Sequence, residues 1–228
     1  MKFDAVLFDC DGVLVDSEPI TIGVLRDLLA ETGWVLSQQE CMDHFLGRTL
    51  REERVLIEAN TGQPMSEAWL SLFFERRNRA LEAGLVIIAG ARAAVAAAHE
   101  RTRERIACAS GADRFKVEMQ LSKVGLIDFF AGRIFSGHEM ARSKPAPDVY
   151  LAAAQHLQVP PERCLVIEDT TTGVTAGVAA GATVWAYCPA PELGAALSGA
   201  GATRLFADMA EVPGLLAPHY LQRNRFTA

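Results

Sequence analysis

An α/β fold, a doubly wound parallel sheet interrupted by an all-helical insertion, is what this 228-residue sequence predicts. Three observations carry the expectation. Short runs rich in Val, Ile, Leu and Cys have the length and continuity of strands buried on both faces, helical segments alternate with them, and residues 17–85 break the alternation with helices alone. The first strand is AVLFD, residues 5–9. LRDLLAETG, ECMDHFLG, REERVLIEAN and EAWLSLFFERRNRALEAG then read as helices with no clear strand between them. Residues 17–85 are therefore expected to form a helical cap domain, and residues 1–16 with 86–228 an α/β core, connected near Asp16–Pro19 and Gly84–Gly90. The alternation resumes with the helix GARAAVAAAHE, the strand RIACAS (105–110), the helix DRFKVEMQLSKVG and the strand RIFS (133–136). It continues through the helix DVYLAAAQHL, the strand CLVIED (164–169), the helix TGVTAGVAAG and the strand TVWAY (183–187). The Ala and Gly richness of residues 90–98 and 173–182 is expected to let those helices lie close to the sheet.

Charge and composition exclude several classes. A net charge of -6, a pI near 5.4 and no basic stripe argue against nucleic acid as partner. No apolar run is long enough to span a bilayer, and acids interrupt the one in MKFDAVLFDCDG, so a soluble cytoplasmic protein without membrane contact is expected. Five widely spaced cysteines without a C-x-x-C pair read as buried free thiols in a reducing compartment. The five histidines form no zinc motif. Trp34, Trp69 and Trp185 read as core anchors, and ERRNRALEAG, residues 75–84, as an exposed helix.

The chemistry begins in FDCDGVLVDSE, residues 8–18. Side chains at i and i+2 of a strand share a face, so Asp9 and Asp11 crowd two negative charges together unless the chain bends or a cation sits there. Further polar groups fall at the C-terminal ends of other expected strands, where open parallel sheets bind ligands: Ser110, Lys144 in RSKPAPD, and Glu168 with Asp169. One crevice would then collect four carboxylates, a hydroxyl and a lysine. Such a cluster needs a cation, and oxygen donors without His or Cys select a hard one, best Mg²⁺. Carboxylate-held metal opposite a lysine neutralises a phosphoryl group in transit. Asp9 would be the nucleophile, and Asp11, offset by the bend at Gly12, the acid and then base. Ser110 and the amides after it, beginning at Gly111, would bind phosphate oxygens at a helix start, with Lys144 as an added point charge.

DCDGVLVDSE, ACASG, KPAPD and VIEDTTTG, in that order, resemble the four motifs of the haloacid-dehalogenase-like hydrolase superfamily, in its branch with a helical cap inserted after the first strand. The resemblance implies a phosphoric monoester hydrolase working through an aspartyl phosphate. Asp9 is then nucleophile and metal ligand, and Asp11 the acid/base that also offers its backbone carbonyl to Mg²⁺. Ser110, Gly111 and Lys144 bind phosphate, and Glu168 and Asp169 serve the metal. A substrate-specificity loop of the family falls on FLGRTLREE, residues 45–53, which makes Arg48 the candidate for the far end of the substrate, unless Arg48, Arg51 and Arg54 form one solvated helix face. The pattern is most similar to bacterial sugar-phosphate phosphatases, including those acting on 6-phosphogluconate, so a monomer acting on a small phosphorylated metabolite is expected. A phosphosugar mutase of the β-phosphoglucomutase kind is the alternative, but those mutases carry a histidine where this chain has Thr21. A non-catalytic binding or regulatory protein on the same fold is the alternative of another class.

Overall fold

The computed structural model describes residues 3–45 and 50–217. Asp16–Val86 forms a compact unit of its own, and the described residues on either side of it form the other.

The flanking unit is built on six parallel strands: β1 (Ala5–Phe8), β2 (Ile106–Ser110), β3 (Ile134–Ser136), β4 (Cys164–Glu168), β5 (Thr183–Tyr187) and β6 (Arg204–Phe206). Their order is β3-β2-β1-β4-β5-β6. β1, β2 and β4 are buried at every residue, which is why they read as unbroken apolar runs rather than as alternating ones. The chain winds outward from β1 through β2 to β3, crosses back to place β4 on the other side of β1, and winds outward again. β1 and β4 therefore flank the point where the winding reverses, and the register Phe8 to Ile167 brings Asp9 beside Glu168 and Asp169. β6 is the strand the sequence did not announce: its three residues lie at the sheet edge, with Leu205 exposed, so no apolar run marks them.

In Asp16–Val86 the helices are α1 (Glu18–Glu31), α2 (Gln38–Phe45), α3 (Arg54–Thr61) and α4 (Glu67–Gly84). Pro19 opens α1 where its missing N–H costs nothing. Ser66 caps α4 by accepting from Trp69 N at 3.2 Å. The unit has its own apolar centre, with Ile22, Leu25, Leu28 and Leu29 of α1 meeting Cys41, Ile57, Leu70 and Phe73. Residues 75–84 are not simply an exposed helix. Phe73, Arg77 and Leu81 lie four apart on one buried stripe of α4, and the Arg77 guanidinium is tolerated there because it stacks 4.9 Å from the Phe74 ring and donates to Asn78 Oδ1 at 2.8 Å.

The other unit carries α5 (Ala91–Arg101), α6 (Arg114–Lys123), α7 (Asp148–His156), α8 (Thr171–Ala179), α9 (Gly194–Gly199) and α10 (Val212–Leu215). Ala94 and Ala98 of α5 and Ala176 of α8 are fully buried, the close packing their small size permits. Trp185 is buried edge-on against Phe3, while Trp34 and Trp69 are partly buried against the apolar centre of Asp16–Val86. All five cysteines are buried and free. Among the described residues no helix is long and apolar enough to cross a membrane.

Candidate active site

The first half of the site is built around Lys144. Its Nζ donates to Asp9 Oδ1 at 2.5 Å, to Glu168 Oε1 at 2.7 Å and to the Ala109 carbonyl at 2.9 Å. It also lies 4.7 Å from the centre of the Tyr150 ring. Asp9 is fixed from behind by its own N–H, which donates to Ile167 O of β4 at 3.0 Å. Glu168 is a hub. Oε1 accepts from Lys144 and from the Tyr150 hydroxyl at 2.8 Å, while Oε2 accepts from Asp169 N, Thr170 N and Thr170 Oγ1 at 2.9, 3.2 and 3.1 Å. This packing requires Gly173, since a Cβ there would stand 1.7 Å from Glu168 Oε1.

Electrostatics follow from burial. Removal from water pushes the Asp9 carboxyl up to about 7, Glu168 and Asp11 add to the rise, and Lys144 opposes it. Burial also disfavours the Lys144 ammonium, but Asp9 and Glu168 outweigh it and hold Lys144 well above the usual lysine range. Burial raises Glu168 too, yet the Lys144 charge and the donors on its oxygens hold it below the usual carboxylate range. Tyr150 is held protonated by burial and by the Glu168 charge, and so acts as a donor.

Asp169 completes the acidic cluster. Asp9, Glu168 and Asp169 each present one oxygen, and the three oxygens lie within 4.8 Å of one another. Gly12, at a φ of 75°, allows this approach, because a Cβ at that position would meet Asp169 Oδ2 at 2.0 Å. The donor set is all carboxylate oxygen, three carboxyl groups to one lysine. That composition fits a hard divalent cation, whose octahedral oxygen shell is about 4 Å across. Haloacid dehalogenase-like hydrolases generally use a divalent metal.

The second half of the site belongs to Asp11. The strand ends before it and the chain turns, with Gly12 N donating to Val15 O at 2.9 Å and Leu14 N to Cys10 O at 2.9 Å. The turn frees Asp11 from the strand face, and α6 receives it: Lys116 Nζ and Gln120 Nε2 donate to Asp11 Oδ1 at 2.8 and 2.9 Å. The two aspartate side chains thus meet different lysines, Asp9 with Lys144 and Asp11 with Lys116. Cys10 points into the core and donates to Gln120 Oε1 at 3.6 Å.

Ser110 ends β2 fully buried, its Oγ accepting from Ala112 N at 3.1 Å, and Gly111 follows. Asp113 caps α6 by accepting from Lys116 N at 2.9 Å. Arg48 lies outside the described residues. Its neighbours Arg51 and Arg54 make exposed ion pairs with Glu67 and Glu58. Sequence reasoning passed over Lys116, Gln120, Tyr150 and Gly173. The first two carried a signal, being polar residues one turn apart on a helix that starts at the crevice.

A parallel sheet with acids gathered at its winding reversal, a lysine between them and a helical unit inserted after β1 defines a class of phosphoryl-transferring hydrolases. Residues 3–181 match the haloacid dehalogenase-like hydrolases, and the chain belongs to that family. It is 28% identical over 192 residues to 6-phosphogluconate phosphatase of Escherichia coli, covering 84% of this chain and 85% of that one. A haloacid dehalogenase-like protein of unknown function from Agrobacterium tumefaciens superposes with a TM-score of 0.81 at 33% identity, covering 95% and 99% of the two chains. A family hydrolase from Deinococcus radiodurans, solved with bound phosphate and sodium, gives 0.77 at 36% identity over 95% and 99%. The chain is a phosphoric monoester hydrolase of this family.

Proposed function

We propose that the chain is a Mg²⁺-dependent phosphatase that hydrolyses a small phosphorylated metabolite of the sugar-phosphate type, 6-phosphogluconate or a close relative, through a phosphoryl ester on Asp9. The observation that carries this reading is the Asp9 carboxylate, buried at the end of β1 with Lys144 Nζ 2.5 Å from one oxygen and two further acids beside it. An isolated structural ion pair would not need those acids.

Asp9, Asp169 and the Asp11 backbone carbonyl would hold the metal, with Glu168 contributing through the Lys144 it anchors. When bound, Mg²⁺ supplies a positive centre that screens the negative nucleophile from the negative phosphate. The protein's own groups do the rest. Lys144 draws a phosphate oxygen toward Asp9, and Ser110 with the Gly111 amide holds the others. Asp9 attacks phosphorus, the bond to the leaving oxygen breaks, and Asp11 gives that oxygen a proton. Asp11 then takes a proton from the water that attacks the Asp9 phosphoryl group, which releases inorganic phosphate and restores both carboxyl groups.

Thr21 supports hydrolysis over mutase chemistry. A hydroxyl cannot serve as the acid/base that the mutase histidine provides at this position, and Thr21 Oγ1 is buried with no hydrogen-bond partner. Purified protein with Mg²⁺, screened against phosphorylated metabolites, should release inorganic phosphate stoichiometrically. Isomerised sugar phosphate with little free phosphate would refute the hydrolase reading. Asp169→Ala should raise the Mg²⁺ concentration needed for half-maximal rate, with excess metal restoring part of the activity. An unchanged metal dependence would remove Asp169 from the metal site.

A further inference from the structure

We infer that Lys116 and Gln120 are positioning residues that lock the Asp11 carboxyl into the orientation its proton transfers require, an inference that rests on the acid/base role given to Asp11 above. Both donors come from consecutive turns of α6 and converge on one oxygen, Lys116 Nζ at 2.8 Å and Gln120 Nε2 at 2.9 Å from Oδ1. Neither is a surface contact, since Lys116 is 7% exposed and Gln120 is 0% exposed.

Burying an ammonium and an amide is costly unless each is satisfied, and Val117 and Leu121 beside them show what the same helix uses for packing alone. Each donor is itself held. The Lys116 backbone is fixed in the first turn by the Asp113 cap at 2.9 Å. The Gln120 amide is oriented by Cys10 Sγ, which donates to Oε1 at 3.6 Å, so Nε2 faces Asp11. The thiol between the two aspartates therefore takes part in setting the geometry of the second. Two donors on Oδ1 restrain the Asp11 side chain, which sits on a turn. They make Oδ1 the anchoring oxygen, because an oxygen that already accepts two N–H bonds is poorly placed to carry a proton.

The test compares para-nitrophenyl phosphate with benzyl phosphate, which have similar shape. The aryl leaving group departs without protonation and the benzyl alkoxide does not. Lys116→Met keeps the stem and removes the donor. It should lower kcat/KM, which reports the step in which the leaving group departs, by roughly 10-fold to 10²-fold for benzyl phosphate, the cost of a misplaced catalytic group, and only a few-fold for para-nitrophenyl phosphate. Added to Asp11→Asn it should cost no further rate on benzyl phosphate, since it acts through Asp11. Equal losses on both esters, or a full additional loss in the double variant, would overturn the inference and leave Lys116 a structural residue. If Asp11→Asn itself failed to separate the two esters, the acid/base role of Asp11 would fall first. Gln120→Met, checked for folding by circular dichroism, should repeat the pattern with a smaller benzyl-selective loss. Should Lys116→Met not fold, Gln120→Met decides the question alone, and equal losses on the two esters in that variant would overturn the inference.

Discussion

Lys144 and Lys116 stand on either side of the Asp9–Asp11 pair, and their surroundings differ. Lys144 sits in a dry pocket: its side chain is 7% exposed, Glu168 beside it is 1% exposed, and it is ringed by two carboxylates, a carbonyl and the Tyr150 face. The Lys116 side chain is nearly as buried, 9% exposed, but the Asp11 side chain it meets is 22% exposed and reaches water. The difference follows the two jobs. A nucleophile and the cation that offers it phosphate gain from low dielectric and immobility, whereas a group that hands protons to an alkoxide and takes them from water must touch solvent.

The largest contrast is expected on removing each ammonium. Lys144→Met strands two buried carboxylates, so it should destabilise the fold by about 3–5 kcal/mol, the cost of breaking a buried ion pair. It should also lower kcat on the order of 10²-fold to 10³-fold, the loss seen when one preorganised donor to a developing charge is removed. Lys116→Met strands only the partly exposed Asp11 and should cost about 1 kcal/mol. Urea unfolding of both variants measures this, and equal losses would erase the distinction between the pockets.

A pH titration of stability isolates the Lys144 side. Asp9 in the folded protein is pushed up to about 7 from an ordinary value of 3.8, so the folded state holds its proton more tightly than the unfolded one. Its contribution is fully present below pH 3.8 and is lost as pH rises through about 7. Glu168 has the opposite sign: held below 4.5, it stabilises above that pH and the benefit is lost on acidification through its lowered value. Chelator-treated protein should therefore lose part of its stability between about pH 4 and 7, and added Mg²⁺ should remove that loss. A metal-free Tm that rises across the same interval would contradict the assigned shift.

The smallest loss of rate is expected from Tyr150→Phe, which keeps the ring beside Lys144 and removes one of the two donors to Glu168 Oε1. Losing a hydrogen bond to a charged group should cost roughly 1.5–3 kcal/mol of stability and only a few-fold in kcat. A loss of rate as large as that of Lys144→Met would mean that Glu168, not Lys144, dominates the pocket.

The sheet was legible because β1, β2 and β4 are buried on both faces and so carry unbroken apolar runs. β6 was not, because an edge strand of three residues with an exposed Leu205 has no such signature. The positions of Asp9, Lys144, Glu168 and Asp169 were legible by their recurrence at strand ends; Lys144 meets Asp9 and Glu168, and one oxygen of each acid lies within 4.8 Å of the other two. The groups that hold them were harder to read. Tyr150 and Gly173 act through the space around Glu168, and spacing along a chain does not report which side chain a glycine makes room for. Lys116 was hidden by its helix, where a lysine ordinarily faces solvent, and only the tertiary contact with Asp11 turns it inward. The inward stripe of α4 was missed because Arg77 interrupts it with a charge that the Phe74 ring accommodates.

The division of labour between the two pockets requires that phosphate travel through Asp9 and not directly to water. The most direct measurement is rapid quench of the enzyme with Mg²⁺ and para-nitrophenyl phosphate, followed by borohydride reduction and peptide sequencing. An acyl phosphate on an aspartate is reduced to homoserine, so homoserine should appear at position 9 in the native enzyme. It should accumulate further in Asp11→Asn, where the second step is slowed, and be absent in Asp9→Asn. Homoserine at another aspartate, or turnover by Asp9→Asn comparable to that of the native enzyme, would contradict the assignment of Asp9 as the group that receives the phosphoryl.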